Sequence, residues 1–152
     1  MNAPFWPDSL QKPDPNQVQH SLVNFWQTLA SLADLVRRHE HLLAEEQLSA
    51  LRKIVLAMML ALNGVKRPVG TIHLNSYLGE SQRQMLEKTL LTPSVSRESW
   101  IGAAVALVVI YRWYAPQLVE KFGLDYPQAV EEETLEQLKQ QLPEWPLKIE
   151  TE

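Results

Sequence analysis

The chain has 152 residues, of which 45% are hydrophobic and 21% charged, with a net charge of −4 and no cysteine. That length fits one domain around one core. The absence of thiols excludes disulfides, thiolate zinc sites and cysteine nucleophiles, and it suits a reducing cytoplasm. Residues 125–152 hold eight acidic and two basic side chains, whereas the first 124 hold ten and twelve. An acidic C-terminal third argues against a general nucleic-acid binder.

Residues 1–16, "MNAPFWPDSLQKPDPN", contain four prolines and no apolar h-region. They read as an irregular arm rather than a helix or a secretory leader, with Phe5 and Trp6 as its anchors. From Gln17 to Asn63 there is no Gly or Pro, yet the apolar phase breaks once. Leu22, Trp26, Leu29, Ala33 and Val36 form one stripe; Leu48, Leu51, Val55, Met58 and Leu62 form a second. A turn within "RRHEHLLAEEQ" converts the segment into an antiparallel helical hairpin. Asn16 with Gln19 fits a capping box for the first helix, Glu45 and Glu46 suit the first turn of the second, and Asn63-Gly64 ends it.

Residues 64–80 form an unusually long connection for a bundle. Ser81 with Gln84 predicts the start of a third helix, which Thr92-Pro93 ends. The fourth begins after Ser96 and includes "WIGAAVALVVIY", residues 100–111. That run is twelve residues long, short of the roughly twenty a bilayer span needs, so it predicts a buried central helix and no membrane contact. Pro116 should kink or divide this helix, and Phe122-Gly123 should close it. The fifth opens with Pro127 at its first position, carries Val130, Leu135, Leu138 and Leu142 on one edge, and stops at Pro143. The expected fold is an all-α, single-domain bundle of about five helices with a central apolar helix. Its divisions are an arm at 1–16, the bundle at 17–146 and a tail at 147–152.

The residues offer little catalytic chemistry. On a helix His39 and His41 would point to nearly opposite sides, and neither belongs to an H-E-x-x-H or E-x-x-H pattern. His20 and His73 have no carboxylate at a useful spacing. The acidic pairs read as helix starts, and there is no G-x-S-x-G, P-loop or G-x-G-x-x-G. These absences predict no catalytic residues, no metal, no cofactor and no enzyme activity.

Two segments read instead as contact surfaces. Tyr111, Arg112, Trp113 and Tyr114 are consecutive and must face all round their helix, so at least one reaches the surface. Their residue types dominate binding hot spots. The 64–80 loop is basic through Lys66 and Arg67, with Arg83 just beyond. Its alternation predicts Ile72 and Leu74 tucked inward, with Thr71, His73 and Asn75 turned outward. Lys66, Arg67, Tyr111, Arg112, Trp113 and Tyr114 are therefore the expected partner-binding residues.

"ALNGVKRP" (61–68) and "FGLDYPQAVEEETLEQL" (122–138) resemble the helical substrate-binding half of small nucleotidyltransferases, where a Tyr-Pro opens a late helix. The Gly-Ser loop and paired aspartates of that family's catalytic half are missing. The resemblance implies a stand-alone helical substrate-binding partner of a nucleotidyltransferase-type system. "RPVGTIHLNSYLGESQRQMLEKTL" (67–90) and "AVALVVIYRWYAPQLVEKF" (104–122) are similar to small helical accessory proteins of cyanobacteria, among them the carboxysome-shell assembly factor. That likeness implies a non-catalytic cytoplasmic adaptor or assembly factor that docks a partner protein's helix or tail in a groove. A homo-oligomer stays open.

Overall fold

The computed structural model describes residues 8–90 and 94–146. The expected anchoring by Phe5 and Trp6, the stop at Thr92-Pro93 and the tail at 147–152 lie outside these residues. Five α-helices follow one another: α1 (Pro15–Arg37), α2 (His41–Leu62), α3 (Glu80–Lys88), α4 (Arg97–Phe122) and α5 (Gln128–Gln141). A 3₁₀ turn, Leu74–Tyr77, interrupts the α2–α3 connection. The described residues form no strand, only an isolated bridge between Gln11 and Lys66. The all-α bundle expected from the apolar periodicity is thus the observed architecture.

The cap of α1 is Asp14 rather than Asn16. Its carboxylate accepts from the Asn16 amide at 3.0 Å, and Pro15 fills the first helical position, where the missing N–H is not needed. Gln19 is thereby free for a longer reach. Its amide donates to the Asp125 carbonyl at 2.8 Å and its carbonyl accepts from the Asp125 amide at 2.9 Å. This pair of bonds fastens the start of α1 to the link between α4 and α5.

The hairpin turn falls at residues 38–40, with His39 in the left-handed region at φ 60°. Because α2 starts as early as His41, Glu45 and Glu46 lie beyond its first turn, past the orphan amides they were expected to face. His41 is not a solvated turn residue: its Nδ1 accepts from the Trp100 indole N–H at 2.8 Å. At the other end of α2, Lys121 Nζ donates to the Leu62 carbonyl at 2.7 Å. The two contacts show that α4 runs parallel to α2 along its whole length.

α4 is capped by the Ser96 hydroxyl, which accepts from the Ser99 amide at 3.1 Å. It ends at Gly123, whose φ of 63° suits the residue that has no Cβ. Pro116 does not divide it. The ring sits exposed inside an unbroken helix, and removing one intrahelical donor is tolerated where α1 and α2 hold the opposite face. By length and composition α4 could cross a membrane, but Leu107, Val108, Tyr111, Ala115 and Leu118 are buried against the other helices. On α5, Pro127 is the cap and Gln128 the first helical residue. Its buried stripe is Glu131, Thr134 and Leu138, with Val130 and Leu135 only half-buried.

α1 lies between α2 and α5, and α4 packs on α2 and α1. Where α1 meets α4, the Tyr111 ring stacks on Phe25 with centroids 4.1 Å apart, and Trp26 meets it edge-on at 5.1 Å. The Trp26 indole N–H donates to the Tyr111 hydroxyl at 3.0 Å, and that hydroxyl donates to the Leu22 carbonyl at 2.9 Å. Burial pushes the Tyr111 phenol far above its ordinary range, so it stays a neutral donor at any physiological pH.

The arm and the long connection hold each other. The Asp8 carboxylate accepts from the Thr71 hydroxyl at 2.5 Å and from the Tyr77 hydroxyl, and the Lys66 amide donates to the Gln11 carbonyl at 2.9 Å. Leu74 packs on the core as expected, with Tyr77 and Leu78 also against it, but Ile72 is 88% exposed. The inward-facing residue at this point is polar Thr71, because the partner that Asp8 presents is a carboxylate. Asn63 completes the arrangement: its amide donates to the Tyr77 carbonyl at 2.9 Å and to Gln82 Oε1 at 2.7 Å. Gln82 Oε1 also accepts from the Gly79 amide at 2.8 Å, opening α3 one residue earlier than the expected Ser81 start.

Two outcomes follow from these contacts. Tyr111→Phe leaves the buried Trp26 N–H without its acceptor, which should lower stability by about 1–3 kcal/mol. Urea unfolding should show a lower midpoint at unchanged slope, and an unshifted midpoint would contradict the assignment. Asp8 is held below its ordinary carboxylate range, first by the Thr71 hydrogen bond and then by Tyr77. A depressed folded value means the tether acts above the unfolded value near about 3.9 and is lost as pH falls through the folded one. Amide protection of residues 71–78 should therefore fall at neutral pH in Asp8→Asn, and in the wild type only in strong acid.

Candidate functional site

The four consecutive residues of α4 divide between interior and surface. Tyr111 and Tyr114 are buried, and Trp113 is 56% exposed. Arg112 turns toward α5, where its guanidinium donates to Glu131 Oε1 at 3.1 Å. Glu131 is buried, and its charge and hydrogen bond add to the burial that raises the Tyr126 phenol. Arg112 is thus committed to an internal ion pair, and only Trp113 of the four offers a free surface. Lys66 and Arg67 are both exposed on the long connection. The clefts that Arg67 lines contain none of Tyr111 to Tyr114, so the basic and aromatic residues do not meet in one groove there.

Two clefts adjoin the connection. The first, of about 200 Å³, lies between the start of α1 and the end of α2, with Val18, Ala57, Met58 and Ala61 as its apolar wall and Asp14, Lys66 and Arg67 at its edge. The second, of about 330 Å³, lies between α2, the connection and α3. Leu56, Leu74, Leu78, Leu86 and Leu90 supply its apolar surface, and Arg52, Lys53, Arg67 and Arg83 its charge, against a single carboxylate, Glu87. An apolar cleft with a few convergent polar groups is the usual form of a small-molecule site.

The cations of the second cleft differ in their partners. Arg83 is paired, its Nη1 lying 3.1 and 3.2 Å from the two Glu87 oxygens. Arg52 is pinned by neutral groups: Nε donates to the Thr89 hydroxyl at 2.8 Å and Nη2 to the Thr89 carbonyl at 2.9 Å. Partial burial lowers its pKa from the ordinary guanidinium value, although an arginine remains charged. Lys53 is exposed beside it.

Sequence reasoning missed Arg52, Gln82 and Asp8. A signal for Arg52 was present: it lies four residues after Leu48 and four before Leu56, which places a charge in line with an apolar stripe. Gln82 carried no such signal, since its value depends on Asn63 being brought beside it. Asp8 was equally silent, because its partners lie more than sixty residues away.

A model of the streptomycin adenylyltransferase family matches residues 7–141, nearly all of the bundle. No curated protein matches the chain, and no solved structure does so. The match agrees with the resemblance carried by "ALNGVKRP" and the Tyr126-Pro127 helix start. It overturns the expectation that the protein is not an enzyme, because the family is named for an enzyme activity. That expectation rested on the lack of familiar motifs, on which the family match does not depend. Nothing in the comparisons supports the adaptor, assembly-factor or carboxysome reading. The chain belongs to the streptomycin adenylyltransferase family.

Proposed function

We propose that this chain takes part in nucleotidyl transfer as the helical, substrate-holding part of an adenylyltransferase-type enzyme. The observation that carries the reading is the family match across residues 7–141 of an all-helical chain. In such a reaction an acceptor hydroxyl attacks the α-phosphorus of a nucleoside triphosphate and pyrophosphate leaves. A divalent ion ordinarily neutralises the phosphates. Among the described residues no three His, Asp or Glu side chains converge to hold one. No chemical step is assigned to these residues.

The reading divides the work accordingly. A nucleotidyltransferase element carrying the metal-binding carboxylates activates the nucleotide, and the bundle fixes the orientation of what reacts. Positioning of this kind contributes to rate because a bound reactant no longer has to find its geometry by diffusion. The clefts on either side of Arg67 are the concave surfaces suited to that role. We place the reaction in the cytoplasm, where nucleoside triphosphates are held.

The test is transfer itself. The full chain, purified from its native host with its bound proteins, is incubated with ATP, Mg²⁺ and hydroxyl-bearing acceptors. Streptomycin comes first because the family's description names it. The expected result is an acceptor heavier by one AMP group, formed at least about ten-fold faster than after the chain has been depleted. If depletion leaves AMP transfer unchanged across an aminocyclitol panel, the reading fails.

A further inference from the structure

We propose that the cleft between α2, the 64–79 connection and α3 is a binding site for a phosphate-bearing small molecule with an apolar body. The inference stands on the cleft alone and does not require the transfer reaction. Its charge is the first reason. The chain as a whole is acidic at −4, yet this cleft gathers four cationic side chains and one carboxylate. Glu87 offsets Arg83 alone.

Arg52 is the second reason. A half-buried guanidinium ordinarily has a carboxylate partner, because taking a cation out of water is costly unless it is paired. Among the described residues Arg52 meets no carboxylate within salt-bridge distance; Glu45, seven residues earlier on α2, acts on it only through space. Its bonds go to the Thr89 hydroxyl and carbonyl, which fix the plane of the guanidinium and, among the described residues, engage two of its five N–H groups. A guanidinium fixed in orientation before the ligand arrives is the arrangement suited to bidentate recognition of an oxyanion.

Shape and number define the ligand class. Arg67 reaches the cleft from the connection and Lys53 from α2, so cations approach from two elements. A single carboxylate needs one such partner, whereas a phosphate dianion can satisfy several. Five leucines supply the apolar surface, which an inorganic anion leaves uncovered and a ligand with an apolar group does not. At about 330 Å³ the space is at the small end of ligand pockets.

The experiment compares phenyl phosphate, inorganic phosphate and neutral phenol against the full chain by NMR titration at low ionic strength. Phenyl phosphate should bind saturably and shift the Arg52 Nε–H and the Leu56 and Leu86 methyls. Inorganic phosphate should bind more weakly at the same guanidinium, and phenol at least about ten-fold more weakly than phenyl phosphate. Raising salt should weaken both anions. Arg67→Gln, on an exposed loop where folding is not at risk, should weaken phenyl phosphate about ten-fold. Arg52→Lys keeps the charge without the planar fork and should weaken it further, with circular dichroism confirming the helices. Arg37→Gln, on the surface of α1, should change nothing. The proposal is overturned if phenyl phosphate causes no saturable shift up to about 10 mM. Equal binding by phenol, or binding indifferent to Arg67→Gln and Arg52→Lys, overturns it as well.

Discussion

The Tyr111 hydroxyl is the point on which the bundle's geometry depends. It accepts a hydrogen bond from the Trp26 indole N–H and donates one to the Leu22 carbonyl, so both its donor and acceptor roles are used inside the core. A buried hydroxyl with two directional partners fixes the rotation of α4 against α1, which leucine packing alone leaves adjustable. Phe25 stacked on the ring fixes its tilt. With Tyr111 turned inward, Arg112 must point toward α5, and there it meets buried Glu131. Trp113, the next residue round the helix, is left facing solvent. One hydrogen-bonded phenol thus decides the fate of its neighbours.

The same logic operates with smaller groups at the far end of α2. The Asn63 and Gln82 carboxamides bond to each other in both directions, since Gln82 Nε2 also donates to Asn63 Oδ1 at 3.2 Å. That clasp fixes where α3 begins relative to where α2 ends. Asp8 then holds the intervening connection from outside through Thr71 and Tyr77. A long loop ordered at both ends and tethered in the middle can present Arg67 in a constant place. Without the clasp and the tether, the cleft against α2 would lack a defined wall. Binding would then have to include the entropy of ordering that wall.

The parts legible in the sequence are those with a short period. Leu22, Trp26, Leu29, Ala33 and Val36 are all buried on α1, because a 3.6-residue repeat reports its own face without reference to the rest of the chain. Ser96 and Gly123 were legible for a related reason, as caps act within a few residues. Asp14 was harder: in Asp-Pro-Asn two good capping residues lie two apart, and the preference of proline for the first helical position decides between them. Pairings across the chain left no trace. Trp26 and Tyr111 are 85 residues apart, and nothing local marks either as a hydrogen-bond partner. Ile72 shows the converse failure. Its alternation with polar neighbours read as burial, but the arm that covers this stretch presents a carboxylate and selects Thr71.

The most acidic helix, α5, contributes no residue to the basic cleft. The exposed carboxylates Glu132, Glu133 and Glu136 lie on α5, and α5 packs on α1. Arg52, Lys53 and Arg67 lie on α2 and the connection beyond it. Helix α1 stands between the two sets, a helix diameter of about 10 Å that exceeds the Debye length of about 8 Å at physiological salt. The acidic helix therefore does little to neutralise the basic cleft, although the chain carries more negative than positive charge in total. Net charge predicts a protein that repels anions, and the arrangement of the helices produces a concave surface that attracts them. The sign that matters for a ligand is set by which helix is adjacent, and in this fold the acidic one is adjacent to α1.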